Sequence, residues 1–139
     1  MKFLFCGDRK WKDIQRILVV MTILKNTFGI FTVIEGEAKG ADLISAVTAN
    51  KLNLPVERYP ANWNKYNKAA GPIRNTQMLD EGKPDGVLAF HDNILESKGT
   101  KNMVFQSLKA GIPVWISQSS ENDLNEFIQA VKDKINEKV

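Results

Sequence analysis

The sequence predicts an α/β fold, built on an open parallel sheet of five strands with helices on both of its faces. Five short apolar runs alternate with five segments in which apolar residues recur three and four positions apart, and the connections are short. The run Gly86–Phe90 is apolar throughout, which is typical of a central parallel strand covered on both faces. Residues 1–139 are expected to form a single domain, because a chain of this length buries enough surface to fold without disulfides or metals.

The first half of the chain alternates strand, helix, strand, helix and strand. Lys2–Cys6 is a short apolar run with aromatic residues and is predicted as a buried strand. The spacing within Asp13–Phe28 predicts an amphipathic helix that stops at a glycine. Ile30–Ile34 is the second predicted strand and Ala41–Leu52 the second helix. Pro55–Tyr59 is predicted as a third, more polar strand with a proline at its start.

The second half continues the alternation after an irregular segment, residues 60–72. A helix is predicted over Ile73–Glu81, the fourth strand follows, and the next helix, Thr100–Ala110, is closed by a glycine. Ile112–Ile116 is the fifth predicted strand. Ser120, with an acidic residue three positions later, predicts the N-terminal cap of a last helix whose apolar residues share one face.

The composition indicates a protein with a buried core and no membrane-spanning segment. No apolar run approaches the length of roughly 20 residues that a membrane helix requires, and the N-terminus turns polar too soon for a signal peptide. The single cysteine, Cys6, excludes an internal disulfide or a thiolate metal cluster, and its apolar strand indicates an inert buried thiol. We therefore expect a cytoplasmic protein with no metal and no cofactor. The net charge of +3 suits an anionic ligand but is not the dense basic stripe of a nucleic-acid binder.

Three loops that combine glycine with a cation follow the first, second and fourth strands. The central one, Gly36–Asp42, joins a strand to a helix; its glycines allow close approach of the backbone and Lys39 adds a positive charge. The first N–H groups of a helix lack partners within the helix, and the helix dipole is positive there, so a phosphate suits both. Ligands of open parallel sheets bind outside the carboxyl ends of the strands. Gly7–Trp11 and Ser97–Thr100 are therefore expected to join the central loop in one site.

Several of these residues also have a purely structural interpretation, which the sequence leaves open. Ser97 and Thr100 equally suit simple capping of a helix, and Arg9 equally suits a solvated surface cation. Asp42 suits either a ribose hydroxyl or the positive end of the helix dipole. Trp63 and Tyr66 have rings that can stack on a base, and core packing or a subunit interface suits both as well. His91 has no second histidine or cysteine at ligand spacing, so a ligand contact is favoured over a metal role.

The motifs together resemble a known family, over about residues 2–117. The residues that carry the resemblance are Gly7-Asp8-Arg9 with Trp11 and Asp13, Gly36-x-Ala38-Lys39-Gly40-Ala41-Asp42, Pro60-Ala61-x-Trp63, Ala70-Gly71-Pro72-x-Arg74-Asn75, and Ser97-x-Gly99-Thr100. They resemble the YspA-like branch of the SLOG superfamily. The resemblance implies a Rossmann-like nucleotide-binding domain, related to cytokinin-activating phosphoribohydrolases, to the DNA-processing protein DprA and to proposed sensors of nucleotide or ADP-ribose-like signals. It also implies that Arg74 binds a phosphate bidentately and that Asn75 orients a base or ribose.

The chain departs from the family pattern in two places. Glu37 and Lys39 stand where the family's second motif usually has a glycine and an arginine. The phosphoribohydrolases carry a glutamate shortly after their Gly-Thr, where this chain has Lys101-Asn102-Met103. Cleavage of an N-glycosidic bond needs a carboxylate to stabilise an oxocarbenium-like centre or to activate water. Binding is therefore favoured over catalysis, unless another acid takes that role, namely Glu37, Asp8, Asp42, Asp92 or Glu96.

The predicted function is binding of a phosphorylated nucleoside, or of an ADP-ribose-like or cyclic nucleotide signal, by a sensor or a sequestering protein. The alternative is a nucleoside 5′-monophosphate N-glycosidase, and the modest charge argues against single-stranded DNA binding. We also expect a homo-oligomer, assembled through the apolar first and last helices, and no membrane partner. The predicted ligand-binding residues are Gly7, Asp8, Arg9, Trp11, Gly36, Glu37, Ala38, Lys39, Gly40, Asp42, Trp63, Arg74, Asn75, His91, Ser97, Gly99 and Thr100.

Overall fold

The computed structural model describes residues 1–118 and 121–138, and strands alternate with helices along the chain as the sequence predicts. The strands are β1 (Lys2–Gly7), β2 (Thr32–Glu35), β3 (Val56–Arg58), β4 (Gly86–Phe90) and β5 (Val114–Ile116). The α-helices are α1 (Ile14–Phe28), α2 (Ala41–Lys51), α3 (Trp63–Tyr66), α4 (Ala70–Asp80), α5 (Gly99–Lys109) and α6 (Glu121–Glu137). Short 3₁₀ helices at Asn67–Ala69 and Ile94–Glu96 precede α4 and α5. None of the described helices has the length and apolar character needed to cross a membrane.

The sheet has the strand order β3-β2-β1-β4-β5, and all five strands are parallel. β1 lies at the centre, where Leu4 pairs with Ile34 of β2 on one side and with Val87 of β4 on the other. The chain moves outward from β1 to β3 and then returns to the opposite side of β1 for β4 and β5. The strand order therefore reverses between β1 and β4, and ligands of open α/β sheets bind at such a point, outside the carboxyl ends of the strands.

Helices cover both faces of the sheet, as predicted, because the side chains of each strand alternate between two cores. Phe3 and Phe5 of β1 lie in one core with residues of α1, α2 and α6. Leu4 and Cys6 lie in the other core with residues of α4 and α5. All four side chains are buried, so β1 is covered on both faces as a central parallel strand should be. Removal of this apolar surface from water supplies the main favourable free energy of folding.

Some element boundaries differ from the predicted ones for local reasons. β2 begins at Thr32 rather than at Ile30, whose side chain is 71% exposed and therefore adds nothing to either core. α4 begins at Ala70 rather than at Ile73. Its first turn contains Gly71-Pro72, and a helix tolerates proline there because the N–H that proline lacks would have no partner within the helix.

The irregular segment before α4 contains the short helix α3. The side chain of Asn62 caps it by accepting the N–H of Lys65 at 3.1 Å. Residues 62–69 are all exposed, so this segment lies on the surface of the protein. The predicted N-terminal cap of the last helix, Ser120, lies outside the described residues.

Candidate functional site

A cleft of about 770 Å³ opens at the point where the strand order reverses. It is lined by residues from the end of β1, from the loops that follow β1, β2 and β4, and from the helices α3, α4 and α5. Its volume is within the range of small-molecule binding sites. The three predicted loops therefore approach one another, although they are far apart in the sequence.

Twelve of the seventeen predicted ligand-binding residues line this cleft, and five do not. Those that line it are Gly7, Asp8, Arg9, Ala38, Asp42, Trp63, Arg74, Asn75, His91, Ser97, Gly99 and Thr100. Those that do not are Trp11, Gly36, Glu37, Lys39 and Gly40. Four of these five belong to the central loop, Gly36–Asp42, so the structure differs from the prediction mainly in how that loop is used.

The backbone N–H groups of the central loop bind a carboxylate of the chain itself. Asp42 Oδ2 accepts the N–H of Gly36 at 3.2 Å and the N–H of Ala38 at 3.1 Å. Asp42 is only 5% exposed, and this burial raises its pKa to about 6, while the two N–H groups and Arg74 act in the opposite direction. The donors that the sequence assigns to a phosphate are thus already occupied. Asp42 serves as the anion of its own loop, which neither sequence interpretation anticipated.

The start of α2 packs beneath the loop that follows β1, and the N–H of its first residue already has a partner there. The N–H of Ala41 donates to Asp8 O at 3.1 Å. Gly40 has a φ of +73°, and a Cβ built on it would lie 2.3 Å from that same carbonyl oxygen. Glycine is therefore required here by the fold. Lys39 is exposed and does not line the cleft, so its contribution of charge to the site stays a prediction.

Trp11 is partly buried and packs against the core instead of lining the cleft. Its ring meets the edge of the Phe90 ring, with 5.8 Å between the centroids, and its Nε1 donates to Asp13 O at 2.9 Å. Both the ring and the N–H thus have partners within the protein.

A second buried carboxylate, that of Glu35, lies at the end of β2, and no motif in the sequence indicates it. Its side chain is fully buried; Oε2 accepts the N–H of Glu37 at 2.7 Å, and Oε1 lies 3.5 Å from Arg58 Nε. Burial raises the pKa of Glu35 to about 7, and the nearby Asp42 carboxylate adds to the rise. Glu37 adopts a φ of +58°, and its carboxylate lies 3.7 Å from Arg58 Nη1, outside the cleft.

Arg74, on α4, is held in the cleft by two hydrogen bonds. Its Nη1 donates to Gly36 O at 2.5 Å and its Nε donates to Asn75 Oδ1 at 3.1 Å. Burial lowers the pKa of Arg74, and the Asp42 carboxylate opposes that effect, so the guanidinium keeps its charge at neutral pH. Within the described residues Nη2 has no hydrogen-bond partner, which leaves it for a ligand.

Asn75 joins α4 to α5 and has little capacity left for a ligand. It is 4% exposed, and its Nδ2 donates to Gly99 O at 3.3 Å and to Asn102 Oδ1 at 3.1 Å. Its Oδ1 accepts from Arg74. The resemblance implies that Asn75 contacts a base or ribose, whereas its side chain is hydrogen-bonded to protein groups in the structure. Asn75 positions Arg74 and the start of α5 instead.

The start of α5 opens on the cleft. Ser97 Oγ accepts the N–H of Thr100 at 3.0 Å, so the capping interpretation of Ser97 is correct. A Cβ built on Gly99 would have no atom within 4 Å, which shows that there is open space beside this first turn. Lys98 lines the cleft immediately before the helix.

Cationic side chains outnumber carboxylates in the cleft by five to two. The cations are Arg9, Lys10, Lys68, Arg74 and Lys98, and the carboxylates are Asp8 and Asp42. The guanidinium of Arg9 lies 5.4 Å from the centroid of the Trp63 ring, a distance typical of a cation–π contact. Trp63 is 46% exposed, so it is not a core residue.

Some lining residues are missing from the sequence-based set. Lys10 and Lys98 lie inside two of the predicted loops, so their positive charge could have identified them as site residues. Lys68, Asn102 and Met103 come from the segment before α4 and from α5, and nothing in the sequence places them beside β1. Cys6 also lines the cleft but is 7% exposed, and burial raises the pKa of its thiol, in keeping with an inert thiol. Within the described residues, no three His, Cys, Asp or Glu side chains cluster closely enough to hold a metal ion.

The all-parallel sheet and the cleft at its reversal point define a Rossmann-like α/β domain. Residues 1–66 match the model of a family described as YspA, cpYpsA-related SLOG. The Gene 61 protein of Mycobacterium phage D29 is 32% identical over 120 residues, which cover 81% of this chain and 93% of that protein. The chain belongs to the YspA, cpYpsA-related SLOG family, and the resemblance found in the sequence is confirmed.

One solved structure shares the fold over almost the whole chain. The X-ray structure of DNA processing protein A (DprA) from Streptococcus pneumoniae matches with a TM-score of 0.66 and 17% sequence identity. The match covers 98% of this chain but 56% of that one, so the chain spans little more than half the length of DprA. At this identity the similarity concerns the fold alone.

Proposed function

We propose that the cleft binds a phosphorylated nucleoside, or an ADP-ribose-like or cyclic nucleotide signal, and that the protein senses or sequesters that signal. The observation that carries the proposal is the convergence of five cations from separate segments on one cleft with only two carboxylates. One of these carboxylates, Asp42, is already bound to two backbone N–H groups. Such a lining favours a ligand with more than one negative charge. Membership of the SLOG family supports a nucleotide-related ligand.

The lining has groups that suit different parts of a nucleotide. Arg74 Nη2 and Lys98 offer donors to phosphate oxygens, next to the open first turn of α5. Trp63 offers a half-exposed aromatic face to a base, and stacking of this kind contributes about 1–3 kcal/mol per base. A cleft of about 770 Å³ has room for a mononucleotide or for a larger ADP-ribose-like molecule.

Thermal shift and calorimetry against nucleoside monophosphates, diphosphates, cyclic nucleotides and ADP-ribose test the proposal. A ligand at about 100 times its Kd stabilises the folded state by about 2.7 kcal/mol, which should raise the Tm by several degrees. We expect at least one member of the panel to do so. If no member shifts the Tm at millimolar concentration, the proposal is wrong.

Two aromatic residues of α3 provide a matched pair for the same assay. Trp63→Ala is expected to weaken binding about fivefold to 100-fold, because a stacked base loses its partner. Tyr66→Ala alters the same short helix at a residue that does not line the cleft, and it should leave the affinity unchanged. Both residues are exposed, so neither change should alter the free energy of unfolding by more than about 0.5 kcal/mol.

The second candidate is the nucleoside 5′-monophosphate N-glycosidase, and Asp42 is the observation that favours it. A carboxylate that lines the cleft, is 5% exposed and has a pKa of about 6 is mostly ionised at neutral pH, as stabilisation of an oxocarbenium-like centre requires. Incubation with nucleoside monophosphates and chromatography for free base decides between the candidates. Turnover that Asp42→Asn abolishes would replace the binding function with the enzyme.

Single-stranded DNA is a third candidate, because the similar DprA structure is that of a DNA processing protein. Lys10, Lys68 and Lys98 are exposed lining residues that a nucleic-acid backbone could contact. Binding through several phosphates would weaken steeply with salt, whereas a single nucleotide should give a shallow slope. Measured affinity for an oligonucleotide across a salt series separates the two.

A homo-oligomer is part of the same proposal. Three aliphatic side chains of α1, namely Ile14, Val19 and Ile23, are exposed by 56%, 43% and 37%. A subunit interface on α1 would remove them from water. Sedimentation velocity at micromolar concentration should show a species larger than a monomer, and a monomer would refute this part.

A further inference from the structure

A hydrogen-bond donor and an acceptor stand side by side in the cleft, one after each of the two strands that flank the reversal point. His91 follows β4 and Asp8 follows β1, and His91 Nε2 lies 3.8 Å from Asp8 Oδ2. Both residues line the cleft, and their side chains are 15% and 31% exposed. A separation of 3.8 Å exceeds that of a direct hydrogen bond, which is about 2.7–3.2 Å. Neither atom therefore satisfies the other.

The backbone fixes the position of Asp8. Its N–H donates to Phe90 O at 2.8 Å, which ties the residue to the end of β4. Its Oδ1 accepts the N–H of Lys10 at 2.9 Å. The side chain is thus held by a local turn, and Oδ2 is the carboxylate oxygen that remains for another partner.

The backbone also fixes His91 and its protonation pattern. The N–H of Asn93 donates to Nδ1 at 2.9 Å, and the N–H of His91 donates to Ser117 Oγ at 3.0 Å. Because Nδ1 accepts a hydrogen bond, the proton of the neutral imidazole resides on Nε2. His91 therefore presents an Nε2–H donor beside the Asp8 acceptor.

We propose that Asp8 Oδ2 and His91 Nε2 together bind one hydroxyl group of the ligand, a ribose hydroxyl in the nucleotide of the proposed function, on which this inference rests. A hydroxyl is both a donor and an acceptor, so it can donate to Asp8 Oδ2 and accept from His91 Nε2–H. Two atoms 3.8 Å apart allow both hydrogen bonds at ordinary lengths of about 2.7–3.0 Å. A phosphate does not suit this pair, because the carboxylate repels it and a neutral imidazole does not offset that repulsion. The pair therefore selects a ribonucleotide over its deoxy counterparts.

Calorimetry on the unmodified protein tests this selection directly. The probes are AMP, ADP and ADP-ribose, each compared with its 2′-deoxy and 3′-deoxy counterparts. For every ribonucleotide that binds, we expect one of the two deoxy analogues to bind about tenfold or more weakly, since the lost hydrogen bond has a charged partner.

Variants then assign the selection to the two residues. Asp8→Asn and His91→Phe should each abolish the difference in affinity between the ribonucleotide and the more weakly bound deoxy analogue. His91→Gln restores an N–H donor and should recover part of the selection. Asp80→Asn removes a carboxylate from α4 at an exposed position that does not line the cleft, and it should leave the selection intact.

The outcomes separate this inference from the proposed function. Equal affinities of the unmodified protein for ribonucleotides and both deoxy analogues overturn the hydroxyl site but leave nucleotide binding standing. A selection that survives in both Asp8→Asn and His91→Phe also overturns it. If neither these probes nor any member of the wider nucleotide panel binds, the proposed function and the hydroxyl site are rejected together.

Discussion

Arg74 occupies the space that a side chain on Gly36 would need. A Cβ built on Gly36 would lie 2.5 Å from Arg74 Nη1, the same nitrogen that donates to Gly36 O at 2.5 Å. Glycine is therefore required just after β2 because the Arg74 guanidinium approaches so closely. The backbone conformation at Gly36 would itself allow another residue. The sequence predicts Gly36 as a ligand-binding residue. In the structure Gly36 instead positions Arg74, the cation that we propose binds the ligand.

Gly36→Ala should displace Arg74 from its position in the cleft. Because the arginine side chain can move aside, the free energy of unfolding should fall by only about 1 kcal/mol, the value of the lost hydrogen bond. The affinity for a nucleotide should fall about tenfold, since Arg74 no longer presents Nη2 to the ligand. Calorimetry and urea unfolding measure the two effects.

Gly99→Ala is the matched control for the effect of that change on stability. It adds a methyl group in the same cleft, where a Cβ meets no atom within 4 Å, at the first residue of α5. Its stability should be unchanged or higher by about 0.5–1 kcal/mol, because alanine favours the helix. Full nucleotide affinity in Gly36→Ala would show that the position of Arg74 is irrelevant to binding.

Gly40 and Gly111 test how closely α2 packs beneath the loop that follows β1. Their φ values are nearly equal, +73° and +74°, but a Cβ would lie 2.3 Å from Asp8 O at Gly40 and meet nothing within 4 Å at Gly111. Gly111→Ala should cost about 1–2 kcal/mol, the strain of a left-handed alanine. Gly40→Ala should cost at least about 1–3 kcal/mol more, because the loop backbone must also move. If urea unfolding shows the same loss of stability in both variants, α2 does not pack closely against this loop.

The alternation of strands and helices could be predicted because burial imposes it on the sequence. Leu4 and Cys6 lie in one core while Phe3 and Phe5 lie in the other, so the strand must be apolar at every position. The strand order β3-β2-β1-β4-β5 does not follow from this pattern, because it depends on the direction of each crossover. The pattern also does not predict where some helices start. α4 begins at Ala70, and the proline in its first turn is compatible with either a loop or a helix.

The candidate site could be predicted as a location but not as a set of contacts. Glycines, cations and strand ends located the loops, since the carboxyl ends of parallel strands share one edge. The partner of each loop N–H depends on three-dimensional packing, and no spacing in the sequence distinguishes a carboxylate that binds a ligand from one that, like Asp42, binds its own loop. Asn75 differs from its expected role for the same reason, because its partners lie on α5.

The two buried carboxylates should make the protein less stable as the pH rises through neutrality. The pKa in the folded state is about 7 for Glu35 and about 6 for Asp42, above the ordinary values of 4.5 and 3.8. Between the ordinary and the folded values, the folded state binds more protons than the unfolded state, so the free energy of unfolding falls as the pH rises. The cost of ionisation is absent below the ordinary values and complete above the folded ones. We expect a loss of about 4 kcal/mol between pH 5 and pH 8 in urea unfolding, with the larger part from Glu35.

Glu35→Gln isolates the larger part of that dependence. The amide oxygen can still accept the N–H of Glu37, but it carries no charge to bury. In the variant the free energy of unfolding should depend less on pH, and at pH 8 it should be higher than that of the unmodified protein. Glu96→Gln, at an exposed position, should leave the profile unchanged. A stability that rises between pH 5 and pH 8 would mean that burial of Glu35 does not control it.

Lys98 and Lys39 distinguish the site seen in the structure from the site expected from the central loop. Each is an exposed lysine just before a helix, α5 or α2, but only Lys98 lines the cleft. Lys98→Met should weaken nucleotide binding about threefold to tenfold at low salt and reduce the loss of affinity on adding salt, because one screened attraction is gone. Lys39→Met should leave both quantities unchanged, since Asp42 and Asp8 already occupy the donors of its loop. If calorimetry instead finds that Lys39→Met is the more damaging change, the phosphate lies at the start of α2, and Asp42 must release its N–H groups when the ligand binds.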